Sequence, residues 1–222
     1  MTGAAKVRSP VILDRLKRAY PDARCALDHR NPFQLLVATI LSAQTTDVRV
    51  NLVTPKLFSR YPNAAALARA RPADVEAIIR STGFFRNKAR SIIGMAQAVV
   101  ADHGGEVPGT MDDLLTLPGV GRKTANLVLI LAHASEENIC VDTHVHRIAN
   151  RLGWVRTRTP EQTEHALYRA AHRKWWPIIN LYLVTWGQNV CRPVYPLCPQ
   201  CVLADICPKV GVTKVGKLVR DV

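Results

Sequence analysis

Long apolar runs are missing from this 222-residue chain. The longest strongly apolar stretch, Leu127 to Ala132, is far short of the roughly 20 residues that span a bilayer, which excludes a membrane-spanning helix. Residues Met1 to Pro10 lack the apolar centre of an export signal, so a cytoplasmic, nucleoid-associated location is expected. There is no succession of alternating polar and apolar segments, which argues against sheets. No low-complexity linker or internal repeat breaks the chain, so any domain boundary must fall in a short loop. Acidic residues are also scarce, 17 against 30 lysines and arginines, giving a formal charge of +13 and a pI near 9.9. The excess is spread along the chain, as expected of a folded basic face that meets a polyanion.

What is present is helical periodicity and 48% hydrophobic content, ample for a packed core. Phe33, Leu36, Val37, Ile40 and Leu41 line one helix face, as do Ala89, Ile92, Ile93, Ala96, Val99 and Val100, stopped by Gly104-Gly105. A short helix from Asp112 ends at Pro118-Gly119, and another runs from Arg122 to Leu131. Val145, Ile148, Ala149 and Leu152 form a further stripe closed by Gly153. Thr159-Pro160-Glu161-Gln162 is a helix start with a cap residue and a proline at the first helical position. Ile178 to Trp186 completes an all-α chain.

Two strings carry chemistry. Leu117-Pro118-Gly119-Val120-Gly121-Arg122-Lys123-Thr124-Ala125-Asn126 predicts a two-glycine turn opening a helix, with both glycines freeing the backbone to reverse. Bare amides at such a helix start suit a phosphate, a contact blind to base sequence. A nucleoside-triphosphate loop is excluded, because it needs glycine directly before Lys-Thr and Arg122 stands there. Lys123 is either an electrostatic phosphate contact or a nucleophile. For the second role the helix end, Arg122 and desolvation would all favour the neutral amine. Val141-Asp142-Thr143-His144 delivers a carboxylate at a helix start, where Asp142 serves as a cap, a catalytic group or both. A lysine nucleophile and a carboxylate beside a phosphate cradle suit chemistry on the sugar of a nucleic acid.

The six cysteines are expected in a reducing compartment, where ligand roles are favoured over disulfides. Cys191, Cys198, Cys201 and Cys207 follow C-x6-C-x2-C-x5-C, spacing that can close an S4 site for zinc or a cubane iron–sulfur cluster. Zinc usually takes two closely spaced pairs, and only Cys198 and Cys201 are so spaced. Cys25 and Cys140 stand apart and are expected in the core.

In this order the strings Leu41 to Asp47, Gly105-Glu106-Val107-Pro108, Leu117 to Asn126, Val141 to His144 and the cysteine loop resemble the bacterial endonuclease III family. That family belongs to the helix–hairpin–helix DNA glycosylases, and the likeness covers essentially the whole chain. It implies a six-helix barrel with the hairpin at 25–136, and a helical domain at 1–24 and 137–222 carrying a [4Fe–4S] cluster on the four loop cysteines. The active site would lie between them, with Lys123 and Asp142 catalytic. The implied reaction excises oxidised pyrimidines from duplex DNA and cuts the strand 3′ to the abasic site by β-elimination. The expected partner is double-stranded DNA with such lesions or abasic sites, and the enzyme is expected to be a monomer.

The resemblance further implies DNA contacts from Gln44, Phe84, Phe85, Gly119, Val120, Gly121, Thr124 and His144. Gln44 would fill the space left by an extruded base, and Phe84 or Phe85 would wedge the duplex. Two departures stand out: Phe84-Phe85 replaces an aliphatic–tyrosine pair, and Trp186-Gly187-Gln188 replaces His-Gly-Arg. The related adenine-mismatch glycosylases share the hairpin and cysteines but lack the lysine. A non-catalytic DNA-binding protein with a metal loop is the rival from another class.

Overall fold

The computed structural model describes residues 2–217, with side chains from Ser9 onward, and every regular element among them is helical. Met1 and residues 218–222, the outer ends of the expected cluster domain, lie outside the described residues. The chain divides into two compact units, Cys25–Ser135 and a second made of the residues up to Arg24 with those from Glu136 on.

The 25–135 unit contains α2 (Pro32–Leu41), α3 (Asp47–Arg60), α4 (Ala64–Ala68), α5 (Pro72–Ile79), α6 (Phe85–His103), α7 (Met111–Thr116) and α8 (Arg122–Ala132). Its starts are written in cap residues. Asn31 Oδ1 accepts from Gln34 N at 2.9 Å, Thr46 Oγ1 from Arg49 N at 3.3 Å and Asn63 Oδ1 from Ala66 N at 2.9 Å, each worth about 1 kcal/mol. Helix α6 stops at Gly104, whose φ of 61° closes the helix with a left-handed residue. The core is mainly aliphatic, with Leu35, Leu36, Leu41, Leu57, Ile79, Ile92, Met95 and Val128 fully enclosed.

The other unit contains α1 (Thr2–Ala19), α9 (Thr143–Arg151), α10 (Pro160–Ala170) and α11 (Trp176–Asn189), with single 3-10 turns at Arg173–Trp175 and Cys198–Gln200. Thr159 caps α10 by accepting from Gln162 N at 3.2 Å, and Gln162 Oε1 in turn accepts from Arg158 N at 3.0 Å. Leu13, Leu16, Ile148, Leu167, Ile179 and Leu183 pack with Trp154, Trp175, Tyr182 and Trp186. After α11 the chain runs as an irregular loop containing the four cysteines.

Candidate active site and cysteine loop

Helices α7 and α8 are joined by Leu117 to Gly121. Val120 N donates to Leu117 O at 3.1 Å across Pro118-Gly119, and Gly119 has φ of 79°, the arrangement of a type II turn with proline then glycine. A Cβ on Gly119 would also stand 2.8 Å from Ser91 Cβ, so the position is closed to other residues on two grounds. Gly121 differs from expectation. Its φ is −105°, ordinary for any residue, and a Cβ there would meet nothing within 4 Å. Its lack of a side chain does not serve the reversal; it leaves the start of α8 without a side-chain cap and open to approach.

The turn is anchored from below by Leu117 and Val120, 2% and 8% exposed. Val120 therefore turns its side chain to the core, and its amide donates within the turn. Thr124 is buried as well, whereas Lys123, the second residue of α8, is half-buried. Cys25, beyond the reach of sequence reasoning, lies in the same neighbourhood. Burial pushes its thiol up, aided by Asp47 and opposed by Lys123.

Besides Ala134, past the end of α8, two non-glycine residues of this unit are left-handed: Gln44, with φ of 52°, in the turn between α2 and α3, and Phe84, with φ of 55°, at the start of α6. Such a conformation costs roughly 1–3 kcal/mol and persists only where surroundings impose it. Both residues are exposed, Phe84 by 66%. Phe85 behaves otherwise, packing against the aliphatic core with Arg86 stacked 5.2 Å from its ring centroid. The paired phenylalanines thus split into one projecting ring and one structural ring.

In the other unit Asp142 caps α9, its Oδ1 accepting from Val145 N at 2.9 Å. Asp142 Oδ2 takes no part in this cap. His144, in the first turn of α9, stands 3.1 Å from Arg147 Nη2, which also donates to Cys191 O at 3.0 Å. A Cβ on Gly187 would fall 2.5 Å from His144 Nδ1. A larger residue in place of the glycine of Trp186-Gly187-Gln188 would have to displace the His144, Ile148 and Arg147 side chains, while Trp186 is core, 2% exposed.

Cys191, Cys198, Cys201 and Cys207 are free thiols that line one cavity with Arg151, Leu152, Trp186 and Val190. Arg151 ties the loop down: it donates to Arg192 O and Pro193 O at 2.7 Å each and accepts from Val210 N at 3.1 Å. Three N–H groups point at sulfur, from Arg151 to Cys191 and from the backbones of Leu203 and Lys209 to Cys201 and Cys207, each at 3.4 Å. Burial pushes the Cys201 thiol up to about 11 and raises Cys207, so an ionised set needs a bound cation. Among the described residues no three His, Cys, Asp or Glu converge tightly enough for a single ion. Four thiols around a shared space, with N–H donors at sulfur, fit a thiolate-held metal group.

Residues 37–173 match the model of the HhH-GPD superfamily of base excision DNA repair proteins. The chain is 49% identical to endonuclease III of Synechocystis sp. over 91% of its own length and 93% of the relative's. It belongs to the endonuclease III family of the HhH-GPD superfamily. This endonuclease III family member is accordingly a DNA glycosylase and AP lyase of base excision repair. The Thermotoga maritima endonuclease III is 44% identical, over 80% of this chain and 83% of that one. A trapped covalent endonuclease III–DNA intermediate superimposes with a TM-score of 0.85 at 40% identity, covering 90% of this chain and 94% of the other. A thermostable thymine-DNA glycosylase, 23% identical with a TM-score of 0.80, shares the fold. None of the helices is long and apolar enough to cross a membrane among the described residues.

Proposed function

We propose that the chain excises oxidised pyrimidines from double-stranded DNA through Lys123 and then cuts the strand 3′ to the lesion. The observation that carries this reading is the placement of Lys123 in the first turn of α8, directly after a turn whose open, uncapped helix start suits a backbone phosphate. A phosphate held there brings its sugar within reach of the amine. The charge of +13 supplies the long-range attraction, and a relative 40% identical has been trapped as a covalent intermediate with DNA.

The Lys123 amine forms a bond to C1′ of the deoxyribose as the bond from C1′ to the base breaks, the electron pair leaving with the base, which takes up a proton. Ring opening gives an imine between Nζ and C1′. The imine acidifies C2′, and loss of a C2′ proton expels the 3′ phosphate; water then hydrolyses the imine, freeing the Lys123 amine and leaving an unsaturated aldehyde on the sugar. Asp142 assists the first step with the oxygen not used as a cap, by accepting the amine proton or stabilising charge on the sugar. Gln44 and Phe84 hold the duplex open, while Gly119 and Gly121 let the strand come close. His144, in the first turn of α9, is a further DNA contact. The protein acts as a monomer in the cytoplasm, on the nucleoid.

The four loop cysteines hold a [4Fe–4S] cluster, which when bound supplies a structural cross-link. Arg151 and the Leu203 and Lys209 amides orient the thiolates, and the closed loop presents Arg192, Lys209 and Lys214 to the DNA backbone. A 5′-labelled duplex with one thymine glycol tests the function. The expected product is a fragment ending in an unsaturated aldehyde at the lesion. Retention of the intact duplex without scission would support the non-catalytic binder instead. Scission confined to mismatched adenine would point to the adenine-specific relatives.

A further inference from the structure

Lys88 is placed where a lysine is costly. It is 6% exposed, no carboxylate stands within 4.0 Å of it among the described residues, and it is the fourth residue of α6, near the helix's positive end. Burial pushes its ammonium down. Its Nζ donates to Thr45 Oγ1 at 2.7 Å, and the same oxygen accepts from Gly83 N at 3.2 Å. Lys88 N also donates to Phe84 O at 3.1 Å. A Cβ on Gly83 would stand 3.2 Å from Gln44 O, so the two turns approach backbone to backbone. Each flanks one of the left-handed residues, Gln44 or Phe84. A methionine would fill the same space without desolvating a charge. What the ammonium adds is a charge-assisted bond between two turns that have no helix in common.

We propose that Lys88 is a positioning residue for base extrusion: its bond to Thr45 locks the Gln44 turn to the Phe84 turn, so both side chains meet the duplex as one preset pair. This rests on the repair reading above. The strain and ordering of the pair are then incurred in folding and not again in the complex, which favours the unstacked state of the DNA. Opening a stacked lesion demands that pair; an abasic site, with no base to extrude, demands little of it.

Four variants of the intact, cluster-loaded protein test this: Lys88→Met, Thr45→Val, the double variant, and Thr45→Ser, which keeps the hydroxyl. In the free protein Lys88→Met should speed hydrogen exchange of the Gly83 and Thr45 amides together, by about tenfold, and leave α8 unchanged. Single-turnover excision of a well-stacked lesion should fall about tenfold, the ratio one charge-assisted bond supports. Cleavage of a preformed abasic site should fall at most about twofold by the same reasoning. The double variant should be no worse than the poorer single, and Thr45→Ser should behave as the parent. Unchanged exchange, equal losses on both substrates, or additive losses would each overturn the lock. A parent protein that cleaves neither duplex refutes the repair reading, while the exchange measurement still decides whether Lys88 couples the turns.

Discussion

The two units solve the problem of a core in different ways. Residues 25–135 enclose aliphatic side chains from seven helices, and their turns are pinned by cap residues. The other unit packs tryptophans and tyrosines among its aliphatics, and the indole N–H groups of Trp154, Trp175 and Trp186 are buried with no hydrogen-bond partner. An unmet donor costs about 1–3 kcal/mol. Beyond α11 its loop buries few apolar residues, chiefly Leu197 and Leu203. The first core sustains itself by packing. The second leaves its terminal loop to Arg151 and to whatever the four cysteines hold.

The largest effect expected from that difference is in the cysteines. Cys201→Ala should abolish iron content and turn the yellow-brown protein colourless. Hydrogen exchange in the loop after Val190 should accelerate by about 10³-fold or more, as expected when a tightly bound ligand is lost, while α2 and α6 stay protected. Equal acceleration in both units would mean that the first core also leans on the cluster. Stoichiometric zinc in colourless parent protein would overturn the cluster assignment.

Leu57→Ala probes the self-sustaining core and should cost about 2–5 kcal/mol by the cavity it leaves, with iron retained. Denaturant unfolding followed together with cluster absorbance checks this, and simultaneous loss of both signals would break the contrast. For Asp142→Asn the stability change should be well under about 1 kcal/mol, because asparagine caps equally well. Excision should nevertheless drop about 10²-fold or more. Equal activity would leave Asp142 as a cap alone. Phe84→Ala should leave stability within about 0.5 kcal/mol, as for an exposed side chain, and slow excision of a stacked lesion more than abasic cleavage. Phe85→Ala should show the reverse pattern, a measurable loss of stability with no substrate preference.

Legibility in the sequence followed the range of the interactions. Pro118-Gly119 announced a turn because proline and glycine fix local dihedrals, and the cysteine spacing announced a ligand set for the same local reason. The stripes of α2, α6 and α9 were readable, whereas α4 and α5 are too short for a periodic signal and α3 carries a proline, Pro55, in its interior, which in sequence argues against a helix. Gly121 was read as part of the reversal, but an ordinary φ removes that need. The burial of the Val120 side chain was not legible, since a valine between two glycines has no periodic neighbours to place it. Lys88 was invisible, since a lysine beside Arg86, Asn87 and Arg90 reads as a solvated face until Thr45, 43 residues away, is found beside it. Phe84 and Phe85 could not be told apart by type; a single left-handed dihedral separates them.

The central claim is that Lys123 becomes bonded to the sugar. Borohydride reduction during turnover on a thymine-glycol or abasic duplex should yield a stable protein–DNA adduct, with peptide mapping placing it on Lys123. Lys123→Gln should bind the same duplex and give no adduct. An undiminished adduct in that variant, or one mapped to another amine, would contradict the assignment.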